Sequence, residues 1–290
     1  VIPEPSRSPL SSQSFIGVSL SGGRQERSVI CELVEYEYPR RLVLYTLLSA
    51  QDQVELGSPD EFFIDFLKRR SPQMIVFDSP LSLPSCFQCH CLTAVSSCSK
   101  PEVRWLLAQQ WEKHKKPRRY PTPYTQRALD FFLENYLAEK FEYGHALGSN
   151  WAPITVRVQT WLRFLGGYPL FESPVKIVAY YLGRSFGLNR LQALNLFSST
   201  QGLELRQVFL EKMQSRMDLF FYERDLLVVQ KEPHAFQALL AAYMGLLSLR
   251  NQVAKLPNFL AHEKCLLPKA CEQDYVTRLE IVHPQGEGND

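Results

Sequence analysis

Two rhythms of apolar and polar positions run along this chain, a short strand-like one near the start and a longer helical one towards the end. SFIGVSL, Ser14 to Leu20, is a compact apolar run closed by Ser21-Gly22-Gly23, the punctuation of a strand that enters a tight turn. RSVICELVEYEY alternates, which predicts a strand with Val29, Cys31, Leu33 and Glu35 on one side. RLVLYTLLSA, after Pro39, is a third strand-like run, and three so closely spaced predict an antiparallel meander. The rhythm then changes to that of a helix in SPDEFFIDFLKRR. Ser58 stands at the N-cap position, Asp60 and Glu61 in the first turn and basic residues in the last, so the charges suit the helix dipole. QMIVFDSPLSLP follows, with Met74 to Phe77 as a strand buried on both faces and Asp78 at its carboxyl end.

From 85 to 149 the character shifts to cysteines, prolines and a basic run, with helices expected around Glu102 to Lys113 and Thr125 to Leu137. This stretch reads as a helical, cysteine-bearing insertion after the fourth strand. Helical sequence resumes at Pro153, is broken by a short strand in GGYPLFES ending near Glu172, and continues over Val175 to Gly183, Leu203 to Asp218 and Pro233 to Leu249. In the last of these, Phe236, Leu239, Leu240, Tyr243 and Leu247 form an i, i+3, i+4, i+7 stripe. Residues 1–13, polar and proline-bearing, read as a flexible tail before one domain over 14–285. The longest apolar stretch, Ala238 to Leu249, is too short to cross a bilayer, so no membrane span is expected and a cytoplasmic setting is the default.

The chain has 290 residues, 45% hydrophobic and 21% charged, which suits a globular α/β protein and excludes a disordered one. Its net charge of +2 carries no global signature of a nucleic-acid binder. Seven cysteines in a chain this long do not resemble a disulfide scaffold.

The order β-β-β-α-β with a later strand and helices is that of an RNase H-like core, a mixed sheet with antiparallel first strands and helices on both faces. In that fold acids on the first strand, the fourth strand and a late helix converge on two divalent ions roughly 3.5–4 Å apart. FIGVSLSGG, IVFDSPLSLP, TPYTQRALDFFL, APITVR, FESPVKIVAYYLG and PHAFQALLAAYMGLLSLR resemble, in order and spacing, the domain of unknown function four-two-nine family. That family is described as predicted nucleases of the RNase H superfamily. The resemblance spans about Phe15 to Pro284 and implies metal-dependent phosphodiester hydrolysis with Mg²⁺ or Mn²⁺.

It also implies catalytic roles for Asp78 and for Glu172, which stands at the family's acid near E-x-x-P. Tyr124, Thr125 and Arg127 match its PYT-x-R motif, and Arg157 another recurring position, as candidates for binding an anion or substrate. The departures are at the ion ligands. Ser19 stands where the family's first strand has aspartate, and His234, Ala235 and Gln237 occupy the neighbourhood of the late-helix acids. A hydroxyl or an amide does not supply the charge a hard cation uses. The expected function is therefore that of a degenerate nuclease relative, unless an acid has moved in from Glu232, Glu32, Glu35 or Glu37.

Bland readings stand beside these. Asp78-Ser-Pro is good turn chemistry, and Glu172 before Ser-Pro suits a helix N-terminus. Ser19 with Ser21-Gly22-Gly23 would either cradle a phosphate or simply turn a hairpin. Cys86, Cys89, Cys91 and Cys98 read C-x2-C-x-C-x6-C, which either wraps one structural Zn²⁺ or leaves plain thiols. Lys113, Lys115, Lys116, Arg118 and Arg119 with Tyr120 and Tyr124 combine charge and aromatic faces. They suit a nucleic acid, or form a solvated loop. An active nuclease, a silent nucleic-acid or anion binder, and a zinc-stapled interaction module remain the alternatives.

Overall fold

A computed structural model describes residues 12–22, 27–38, 40–52, 58–90, 94–111, 122–141, 146–148 and 151–282. The meander forms as its alternation demands, with β1 (Ser12–Ser19), β2 (Val29–Tyr36) and β3 (Arg41–Ser49) pairing antiparallel in sequence order. β1 takes in Ser12 and Gln13, so the part of the expected tail that is described is strand. Helix α1 (Pro59–Arg70) carries its acids first and its bases last, but Ser58 makes no side-chain cap hydrogen bond. Then β4 (Met74–Phe77) enters parallel to β1.

Helices α2 (Pro101–Trp111) and α3 (Ala128–Asn135) occupy the expected insertion, and α4 (Trp151–Leu165) follows it. The start of α3 falls three residues inside the expected Thr125, because Arg127 takes the N-cap position. Next come β5 (Leu170–Glu172), α5 (Val175–Ser185), α6 (Arg190–Leu194) and α7 (Gly202–Met217). The described residues close with β6 (Leu219–Phe220), α8 (Glu223–Lys231), α9 (Pro233–Leu249) and α10 (Cys271–Val282).

The result is an α/β architecture around a six-stranded mixed sheet of order β5-β4-β1-β2-β3-β6. β4 and β5 run parallel to β1, and β6 to β3, so β2 alone opposes the rest. The pleat sorts β1 into two cores. Phe15 joins α9 on one face, while Ile16 and Val18 join α1 and α4 on the other. Cover on both faces explains why Val29 to Val34 of β2 are all buried instead of alternating.

α9 is buried along most of its surface, not only on the expected stripe, because it lies directly on the central strands. That approach needs Gly17. A Cβ there would sit 1.9 Å from the Ala238 carbonyl oxygen and 2.4 Å from the Ala242 nitrogen, both helix backbone. α3 packs into the same core through Leu129, Phe132 and Leu133. Among the described residues no helix is long and apolar enough to cross a membrane.

Candidate functional site

β1 and β4 run parallel and end together, and the first turn of α9 reaches over their carboxyl ends. Ser19 is the last residue of β1, and its pleat position points it to the α9 side with Phe15 and Gly17. Asp78 follows β4 and continues the ladder, its N–H donating to the Val18 carbonyl at 3.0 Å. These three elements bring Ser19, Asp78, His234 and Gln237 into one hydrogen-bonded cluster. The Ser19 hydroxyl lies 2.7 Å from Asp78 Oδ2, 2.9 Å from His234 Nδ1 and 3.1 Å from Gln237 Oε1.

A hydroxyl has a single proton, so while Asp78 is ionised it and Gln237 compete for that proton, and the shorter contact is to Asp78. His234 Nδ1 completes the set, its donor or acceptor role following the ring's tautomer. Burial lowers the His234 pKa, with nearby Arg27 acting the same way and Glu232 opposing. Burial pushes Asp78 the other way, from 3.8 up to about 7, against the hydrogen bonds from Ser19 and the backbone that favour its charged form. Asp78 Oδ1 and the neighbouring Ser79 hydroxyl are buried with no hydrogen-bond partner among the described residues.

This is not a nucleophilic triad. There the carboxylate orients the imidazole and the serine faces substrate; here Asp78 bonds the serine, and Ser19 is fully buried. Beside the cluster, His234 and Ala235 line a cavity of about 100 Å³ with Arg27, Arg224 and Asp52.

Glu172 is absent from the cluster. In register it pairs with Phe77, whose ring belongs to the α1/α4 core, and it points to that side of the sheet, away from Ser19. There it is fully buried and held by Arg127, whose Nη1 donates to both of its oxygens at 3.0 and 2.8 Å, while the Leu81 N–H donates at 2.6 Å. The rest of the guanidinium goes to Asp130, Nε at 2.9 Å and Nη2 at 2.6 Å. Arg127, expected to meet an anion, is thus a buried strut between two carboxylates of its own chain. Coulombic attraction from Asp130 and Glu172 outweighs burial and holds its pKa well above the ordinary value. Asp130 was not singled out from the sequence, although Arg-x-x-Asp at a helix start is capping-box spacing. A cavity of about 460 Å³ opens beside Glu172, lined also by Ser82, Glu102, Glu263 and Lys264.

Arg157, the other expected anion ligand, is likewise engaged. It bonds Asp60 of α1, the Ser21 carbonyl at 2.8 Å and the Ser28 hydroxyl at 2.7 Å, which clamps the two ends of the β1–β2 connection to α4. Tyr124 and Thr125 stand exposed in a turn before α3. Of the other acids singled out from the sequence, Glu32 bonds Ser14, Thr46 and Arg70, and Glu35 pairs with Arg40 and Arg250. Glu232 stands at the N-cap position of α9 next to His234, without a side-chain cap hydrogen bond or a bond to Asp78.

Cys86, Cys89 and Cys98 are part-exposed, but Cys91 lies outside the described residues, as do Lys113, Lys115, Lys116, Arg118 and Arg119. Among the described residues no three His, Cys, Asp or Glu side chains gather closely enough to hold a metal ion. No family model, no curated protein and no solved structure matches the chain.

Proposed function

We propose that this chain is an RNase H-like protein whose hydrolytic centre is silent, so that it acts by binding rather than by cutting. The strand order and the lone antiparallel β2 support the fold reading. The convergence of Ser19, Asp78 and the first turn of α9 supports placing the family's ion-binding position at this cluster.

The observation that carries the silence is the donor set. The cluster offers one carboxylate, itself pushed up to about 7, beside a hydroxyl, a carboxamide and an imidazole whose Nδ1 is engaged. Mg²⁺ and Mn²⁺ are hard cations that take carboxylate oxygens, and a two-ion site needs several of them at once. The residues here do not fit such a pair of ions.

The test is Mn²⁺ titration by calorimetry together with cleavage assays on single- and double-stranded DNA and RNA. The natural chain should neither bind Mn²⁺ at the cluster nor cut. Restoring acids with Ser19→Asp and Gln237→Asp together should create Mn²⁺ binding. Metal-dependent cleavage by the natural chain that Asp78→Asn abolishes would overturn the proposal.

A further inference from the structure

Among the described residues the sheet face that carries α1 and α4 is covered only in part. Its core takes in Ile16 and Val18 of β1, Ile30 of β2 and Ile75 and Phe77 of β4, whereas Tyr36, Val43 and Phe220 towards the β6 edge are only half-buried. Cross-strand partners share a face, so the register puts Tyr36 beside Arg41 and Val43 beside Phe220 on this same side. Tyr45 is the extra residue at the β-bulge between Glu32 and Leu33, and its ring lies under Arg70 of α1. Tyr222, just past β6, meets the Phe220 ring edge to face at 5.2 Å. Tyr45 and Tyr222 are 47% and 56% exposed, too much for side chains whose task is packing.

Two arginines lie among these rings. Arg41 stacks over Phe220 at 4.7 Å, and among the described residues it has no carboxylate partner. Arg70, from the end of α1, lies over Tyr45 at 5.2 Å and is balanced by Glu32 at 3.3 Å. The face therefore presents two half-exposed tyrosine rings, one uncompensated guanidinium and a second that is paired.

We propose that this face of β2, β3 and β6 is a stacking platform for single-stranded nucleic acid, with Tyr45 and Tyr222 receiving bases and Arg41 a phosphate. Every base has a π-face, so exposed rings on an open sheet bind strands with little regard to sequence. Stacked bases in a duplex cannot reach such rings. With one free arginine, the salt dependence is shallow, as phosphate neutralisation sets its slope. The platform lies on the opposite side of the sheet from the Asp78 cluster and does not depend on whether that cluster hydrolyses. It adds a ligand class to the binding role argued above.

Fluorescence anisotropy of the full chain with a labelled mixed-sequence oligonucleotide, as single-stranded DNA, single-stranded RNA and duplex, tests it at low and moderate salt. Single strands should bind in preference to duplex. Tyr45→Ala with Tyr222→Ala should weaken binding roughly tenfold or more, and Tyr45→Phe with Tyr222→Phe should restore it. Arg41→Gln should make the salt slope shallower by about 0.7. Both tyrosines are half-exposed, and an unchanged circular-dichroism melt will show that the variants fold. No binding of any single strand, equal binding of duplex, preference for a proline-rich peptide, or affinity unchanged in the alanine pair would each overturn the platform. Affinity lost only on neutralising Lys115, Lys116, Arg118 and Arg119 would overturn it too, while leaving a nucleic-acid binder whose site is elsewhere.

Discussion

Replacing Asp78 by asparagine keeps the shape of the side chain and its acceptor for Ser19 but removes its charge. Asp78 titrates at about 7 in the fold and near 3.8 when the chain is open. Between those values the folded protein keeps a proton that the unfolded chain has released, so the folded state becomes less stable as pH rises. The loss is about 1.4 kcal/mol for each pH unit, with a ceiling of about 4 kcal/mol by neutral pH. Its stabilising share is fully present below pH 3.8 and gone once pH exceeds about 7. Asp78→Asn has no such titration.

Urea denaturation of both proteins from acid to mildly alkaline pH isolates the term, because other titrating groups cancel in the difference. The advantage of the asparagine variant should grow with pH through the window between 4 and 7 and then level off. Millimolar Mn²⁺ should leave both proteins unchanged, since only a ligand that binds the folded site can offset the buried charge. A pH-independent difference, or Mn²⁺ stabilising the natural chain alone, would refute the reasoning about this cluster.

Gly17→Ala should be among the most damaging single-methyl additions. The new Cβ would overlap helix backbone at 1.9 Å, so α9 must lift from β1. A loss of about 3 kcal/mol or more in urea denaturation is expected, at the upper end of overpacking costs. Arg127→Leu should cost about 3–5 kcal/mol by stranding Glu172 and Asp130 as buried charges, and adding Glu172→Gln should recover part of it in a double-mutant cycle. Arg157→Leu should destabilise by roughly 1–3 kcal/mol and speed amide exchange in the β1–β2 connection it clamps, without changing nucleic-acid affinity.

Local periodicity was enough to place β1, β4, α1 and α9 to within a few residues, because each carries its own alternation, cap position or charge gradient in a short window. The motif order also led to Ser19, Asp78 and His234, and these do meet. What no local window contains is which partner crosses the sheet. β6 is only two residues long and exists through its pairing with β3, and α9 is buried along most of its surface because glycine at 17 lets a helix rest on a strand. Asp78 and Glu172, both acids at strand ends, fall on opposite faces because strand register and pleat parity decide where a carboxylate points. Arg127 and Arg157 looked like ligands in sequence and became struts in space, since a guanidinium goes to whichever carboxylates the tertiary fold buries beside it. Side-chain type and spacing are local properties of the chain, whereas partnership and exposure arise only when distant segments pack.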